Sequence, residues 1–228
     1  MKKIIVTGAS SGIGRAISKL LVEQGNEVYG VCRRADEVDA GVIGIACDLT
    51  DATAIRRVFS ELPIVDVLVN NAGVALLSQI TTGRLEDWDK MWSVNVRALA
   101  LCSQLVLEKF NQSGQIINVS SMSGHRVPPG GGFYSPTKFA VRAITEALRL
   151  ELRAMSSPVR VASVSPGFVD TPILDDYFKG REAVLKQTKQ NMKMLDSTDV
   201  AEVVLSIINT SLHVEVGDVQ LRSVQQDV

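Results

Sequence analysis

Aromatic residues are scarce in this 228-residue chain, at 5%, and no basic excess accompanies them, since 24 Lys and Arg face 25 Asp and Glu. Nucleic-acid surfaces need phosphate-neutralising charge and stacking platforms, so no nucleic-acid partner is expected. A near-neutral balance gives no attraction to an anionic membrane either. The two histidines, His125 and His213, lie far apart and no Cys-x-x-Cys is present. That argues against a metal hydrolase, and no metal site is expected. Three cysteines, Cys32, Cys47 and Cys102, make an odd number. Cys32 and Cys47 fall inside apolar strand-like runs, as expected of reduced thiols packed as small core residues in a cytoplasmic protein. Met1–Thr7 passes from two lysines into a short β-rich run, too short for a signal-peptide core or a membrane span.

What the chain does have is apolar content of 46% against 21% charged residues, enough for one sizeable core. Short β-branched runs at Ile4–Thr7, Glu27–Cys32, Val42–Cys47, Val65–Val69, Gln115–Val119, Val159–Val164 and Val216–Leu221 read as strands. Several are almost continuously apolar, the pattern of parallel strands covered on both faces. Helical patterns lie between them at Ile13–Gln24, Ala52–Leu62, Leu85–Asn111, Tyr134–Met155 and Ser197–Asn209. This alternation predicts an α/β Rossmann-type fold, a doubly wound parallel sheet of about seven strands with helices on both faces. No repeat or polar linker divides the chain, so residues 1–228 are expected to form a single domain. The crossover at 33–40 is too short for more than a trace of helix. The long, mixed stretch 168–195 is the expected substrate-binding lid.

Strand Ile4–Thr7 runs into Gly8-Ala9-Ser10-Ser11-Gly12-Ile13-Gly14 and then an amphipathic helix. Gly8 suits a tight turn, Gly12 a close backbone approach to a pyrophosphate, and Gly14 close packing of helix on sheet. The helix N-terminus would hold the pyrophosphate through its free N–H groups. The second strand ends Val31-Cys32-Arg33-Arg34, with Cys32 where an acid would read an NAD ribose. Arg33 suits a 2′-phosphate instead, so NADP(H) is preferred. Asp36 and Glu37 follow closely and keep NAD(H) open.

Tyr134 and Lys138 lie one turn apart at the start of a long helical pattern. A nearby ammonium favours the phenolate and suits tyrosine to acid–base work. Pro136 lies between them and is tolerated if Tyr134 opens the helix. The strand Gln115–Val119 delivers Ser121 to the carboxyl edge of the sheet, where it can hydrogen-bond a substrate oxygen. Asn70-Asn71-Ala72-Gly73 ends at the same edge. Asn95 sits in a helical stretch it suits poorly, which points to a bond made elsewhere.

Taken together, Thr7-Gly8-x-x-x-Gly12-x-Gly14, Asn70-Asn71-Ala72-Gly73, the tetrad Asn95, Ser121, Tyr134 and Lys138, and Pro166-Gly167 with Thr171 resemble the short-chain dehydrogenase/reductase family. The resemblance implies an oxidoreductase moving a hydride between nicotinamide and a carbonyl or alcohol carbon. Tyr134 would be the acid–base, and Ser121 would polarise the substrate oxygen. Lys138 would bind the nicotinamide ribose and lower the Tyr134 pKa, and Asn95 would hold a relay water. The implied cofactor site comprises Gly8, Ser10, Ser11, Gly12, Ile13, Gly14, Arg33, Arg34, Asp48, Leu49, Asn71, Ala72, Gly73, Tyr134, Lys138, Pro166, Gly167, Val169 and Thr171. Asp48 matches the position that contacts adenine, and Thr171 the one that contacts the carboxamide. Family likeness also implies a homodimer or homotetramer through helices 85–111 and 134–155.

Ser123-Gly124-His125-Arg126-Val127, Ser197–Glu202 and His213–Gln220 are similar to a branch of small NADP-dependent carbonyl and alcohol oxidoreductases. That branch resembles farnesol dehydrogenases and steroid-active reductases, and also enzymes of short 3-hydroxy acids. Candidate lining of the small-molecule pocket is Met122, His125, Arg126, Val127, Phe168, Ile173, Leu174 and Phe178. His125 and Arg126 are alternatively a carboxylate or sulfonate anchor. A different class, a non-catalytic NADP-sensing protein, is disfavoured by an intact tetrad.

Overall fold

The apolar runs do pair in parallel throughout. The computed structural model describes residues 1–226, the side chain of Gln112 excepted. Its strands are β1 (Lys3–Thr7), β2 (Glu27–Cys32), β3 (Val42–Ala46), β4 (Val65–Asn70), β5 (Phe110–Val119), β6 (Arg160–Pro166) and β7 (Asp218–Leu221). They form one seven-stranded sheet in the order β3-β2-β1-β4-β5-β6-β7, every pair parallel. The order reverses at β1, so the carboxyl ends of β1, β4 and β5 come side by side at the position where doubly wound folds bind ligands.

Helices cover both faces: α1 (Gly12–Glu23), α2 (Ala52–Glu61), α3 (Leu85–Trp92), α4 (Leu99–Val106), α5 (Tyr134–Ala154), α6 (Ile173–Tyr177), α7 (Glu182–Asn191) and α8 (Ser197–Ile208). Alternation along β1 shows why its strand reads as continuously apolar. Ile4 and Val6 join one core with Ile17 and Leu21 of α1 and Val200, Val204 and Ile208 of α8. Ile5 faces the other, with Ile55 and Phe59 of α2, Cys102 of α4 and Leu152 of α5. Burial of each such side chain stabilises the fold by roughly 1.5–3 kcal/mol. All three cysteines are free and buried.

Two expectations change. The helix expected over 85–111 is broken: α3 leads into a π-helical segment, Ser93–Ala98, before α4 and a 3-10 turn at Leu107–Lys109. Phe110 and Asn111 already belong to β5, where Phe110 pairs with Val65. Sheet pairing there overrides the apolar spacing that suggested helix. The stretch 168–195 is not irregular but carries α6 and α7. These close on a small cluster of Leu174, Phe178, Leu185 and Met194, separate from the two sheet cores. The 33–40 crossover contains only a 3-10 turn, Ala35–Glu37, as its length suggested. No helix among the described residues is long and apolar enough to cross a membrane.

Candidate active site

The floor of the site is set by what the strand ends must satisfy. Thr7, the last residue of β1, accepts the backbone N–H groups of Asn71 and Ala72 on its Oγ1, each at 3.0 Å. Asn71 returns a bond from Nδ2 to the Thr7 carbonyl at 3.0 Å. This lock holds the bend after β4 against the glycine turn. Gly8 there has φ +73°, and a Cβ on it would come within 2.9 Å of Ala72 Cα, so only glycine fits. A Cβ on Gly14 would overlap the Gly8 carbonyl and the Asn71 amide. Gly14 therefore permits α1 to close on the turn after β1 and on the bend after β4.

From the other side, Ser121 follows β5 and opens a 3-10 turn, Met122–Gly124, accepting the Ser123 N–H at 3.1 Å. Tyr134 is the first residue of α5. Pro136 thus falls in the first turn, where its missing N–H costs no bond. Lys138 is buried, and its Nζ donates to the Val119 carbonyl at 3.0 Å and lies 5.8 Å from the Tyr134 ring centroid. Asn95 lies in the π segment, where an extra residue per turn rotates a side chain out of helical register. Its Oδ1 accepts from Val74 N at 2.8 Å, while Nδ2 donates to Val74 O at 2.9 Å and to Thr137 Oγ1 at 3.1 Å. The bond that its poor fit to a helix foretold is this clamp on the Gly73–Val74 bend.

Electrostatics differ from expectation in one respect. Burial pushes the Tyr134 phenol up to about 12, against a hydrogen bond with Ser121 that favours ionisation, and the Tyr177 phenol raises it further. Burial brings Lys138 down to about 8. Burial thus outweighs the Ser121 bond, and the phenol stands above its ordinary value and keeps its proton at neutral pH.

These residues open on one cleft, lined by Gly8, Ser10–Ile13, Arg33, Arg34, Asp48, Leu49, Asn71–Gly73, Ser121, Tyr134, Lys138, Pro166, Gly167, Val169 and Thr171. A dinucleotide fits the arrangement: a glycine turn whose Gly8 and Gly14 leave no room for a Cβ leads into α1 at one end, and a Tyr–Lys pair stands at the other.

The comparisons agree with this geometry. The family model for short chain dehydrogenase matches residues 2–182. Human "Dehydrogenase/reductase SDR family member 11" is 38% identical over 244 residues, covering 97% of this chain and 94% of that protein. The chain belongs to the short-chain dehydrogenase family. Among solved structures, a serine dehydrogenase in its closed form complexed with NADP+ superposes with a TM-score of 0.90 at 31% identity, covering 99% of this chain and 96% of that one. A 3-ketoacyl-(acyl-carrier-protein) reductase from Brucella melitensis complexed with NADH gives 0.83 at 25% identity, covering 98% of each chain.

At the Arg33 end of the cleft of this short-chain dehydrogenase, the Asp48 carboxyl is held below its ordinary value by bonds from Thr50 N–H and hydroxyl, with Arg33 and Lys90 adding to the effect. Arg34 pairs with Glu37 at 3.0 Å, so that acid is met by a neighbouring charge. Of the candidate pocket residues, Met122, Arg126, Phe168, Ile173 and Leu174 also line the cleft. Three candidates fall elsewhere. Val127 is 63% exposed, and Phe178 points into the small cluster of the 168–195 stretch. His125 turns away to Ser165, with Nε2 at 2.9 Å from its Oγ. Sequence reasoning missed Lys90, Pro128, Tyr177 and Gln226, which also line the cleft. Each comes from a helix or loop whose inward face only the fold determines.

Proposed function

We propose that this short-chain dehydrogenase is an NADP(H)-dependent oxidoreductase that interconverts a carbonyl and an alcohol, with Tyr134 as the acid–base. The observation that carries the reading is Tyr134 opening α5 beside Ser121 and buried Lys138, in the same cleft as the glycine turn. A bound nicotinamide nucleotide supplies or accepts the hydride. Tyr134, protonated at neutral pH, donates its proton to the substrate oxygen in reduction. Ser121 donates a hydrogen bond to the same oxygen as negative charge develops on it. Lys138, anchored on Val119 O, would hold the nicotinamide ribose, and its positive charge favours the phenolate left behind. Asn95 fixes the Gly73–Val74 bend and holds the relay water that returns a proton to Tyr134.

Arg33 and Arg34, with Cys32 in place of an acid, support NADP(H) over NAD(H). The walls Met122, Phe168, Ile173 and Leu174 are apolar and suit a hydrophobic ketone or aldehyde. Arg126 at the same wall favours a second reading, a short 3-hydroxy acid held by its carboxylate. We infer that 168–195 is the lid over this end. Its ends meet through Leu195 N–Phe168 O at 3.0 Å, and Tyr177 OH donates to Gly130 O at 3.4 Å. Exposed Trp92 on α3 and Phe139 and Leu150 on α5 support pairing of protomers on that side, which light scattering tests.

The test is a panel of ketones, aldehydes, prenyl alcohols, steroids and 3-hydroxy acids, run with both cofactors and read by nicotinamide absorbance. Turnover with NADPH on a carbonyl supports the reading. Cofactor binding without turnover of any compound would establish a sensor instead.

A further inference from the structure

Two stretches singled out in the sequence, Ser123–Val127 and His213–Gln220, meet behind the turn that carries Ser121. Asp218 is the first residue of β7 and pairs with Ser163 on β6. Its Oδ1 accepts from Ser163 Oγ at 2.6 Å and from Ser165 Oγ at 3.3 Å. Its Oδ2 lies 3.4 Å from His125 Nε2 and 3.6 Å from an Arg142 guanidinium nitrogen. Arg142, on α5, also donates to the Gly124 carbonyl at 3.0 Å. One carboxylate thus ties β6 and β7 to the exit of the turn by two routes, through His125 and through Arg142 on the last carbonyl.

The turn needs such a support. Its own bonds are all local: Ser123 N to Ser121 Oγ at 3.1 Å, Gly124 N to Ser121 O at 2.8 Å, and His125 N and Arg126 N to Met122 O at 3.0 and 3.3 Å. It lies directly on α5, where a Cβ on Gly124 would come within 2.6 Å of the Lys138 carbonyl. Ser120 Oγ bonds that same carbonyl at 3.1 Å. A shift of the turn therefore moves Ser121 and its neighbours relative to Lys138, and a misplacement of about 1 Å costs rate steeply when reacting groups must align.

We propose that Asp218, acting through His125 and Arg142, is a positioning residue that sets the Ser121–Arg126 turn and with it the Ser121 hydroxyl and the substrate-facing side chains Met122, Ser123 and Arg126. The proposal rests on the oxidoreductase reading for its kinetic consequence, and on geometry alone for its structural one. His125 is held in its neutral form by burial and by Arg142, with Asp218 opposing them.

The experiment uses the full chain as wild type, Asp218→Asn and His125→Gln. It measures NADPH affinity by fluorescence, kcat and KM on the best carbonyl of the panel, and amide exchange of residues 121–126. In both variants kcat falls about tenfold, NADPH affinity stays within about twofold, and exchange over 121–126 quickens about fivefold or more. Should Asp218→Asn not fold, His125→Gln carries the same readouts. Unchanged exchange, or faster exchange with unchanged kcat, overturns the proposal. A wild type that reduces no carbonyl refutes the oxidoreductase reading separately, and exchange still decides whether the support exists.

Discussion

Around Tyr134 the polar side chains are tied to strands or to α5: Lys138 to Val119, Asn95 to Val74 and Thr137, and Thr7 to the bend after β4. Residues 168–195 are held differently. Their cluster of Leu174, Phe178, Leu185 and Met194 is their own, and the surface between is charged, as in the exposed Lys189–Asp170 pair at 2.6 Å. Exposed pairs of that kind add little. The contrast separates two tasks. On the proposed reading, groups that must meet one oxygen are fixed by strand ends and α5, while Phe168, Ile173 and Leu174 of the wall are carried on a separate unit that touches Tyr134 through the Tyr177 ring, at 5.9 Å between centroids.

Substitution separates the two regions, and the largest effect belongs to the floor. Ser121→Ala lowers kcat by about 10²–10³ for every carbonyl accepted, by a common factor. Ile173→Ala, on the wall, instead changes the kcat/KM ratio between a bulky and a small ketone by about tenfold. Steady-state kinetics on the same panel reads both, and a common factor for Ile173→Ala would erase the distinction. Arg33→Ala raises KM for NADPH about tenfold while leaving NADH nearly unchanged; equal losses would remove the phosphate assignment.

Smaller effects follow from charge. Lys138 falls to about 8 from its ordinary 10.5, so the unfolded chain binds that proton more readily. Below about pH 8 the buried ammonium therefore costs stability, and the cost fades as pH rises to 10.5. Lys138→Met should raise the melting midpoint by a few degrees at neutral pH, with a gain that shrinks toward pH 10.5, while removing activity. Because Tyr134 holds its proton to about 12, reduction is favoured at neutral pH and alcohol oxidation gains as pH rises. Initial rates in both directions across pH check the sign.

The strands were legible because burial on both faces leaves few polar positions, as in β1, where Ile4, Ile5 and Val6 are fully buried. The start of β5 was not. Asn111-Gln112-Ser113-Gly114 carries no strand pattern, and the helical spacing before it runs on through Phe110. The π segment was invisible as such, since one inserted residue barely alters a hydrophobic period, though the misfit of Asn95 marked the place. Tyr134, Ser121, Lys138 and the glycine turn were legible because each lies at a strand end or helix start that the alternation itself locates. His125 was read as a pocket residue because a loop beside Ser121 faces the cleft as readily as away from it. Its partner Asp218 is brought close only by the pairing of β6 with β7.

The most direct test of Tyr134 as acid–base is a single-turnover measurement of hydride transfer from NADPH to the best carbonyl, in wild type and Tyr134→Phe, with NADPH affinity measured on both. The expected result is unchanged affinity with transfer slowed by about 10²–10⁴. Transfer at the wild-type rate in Tyr134→Phe would contradict the account.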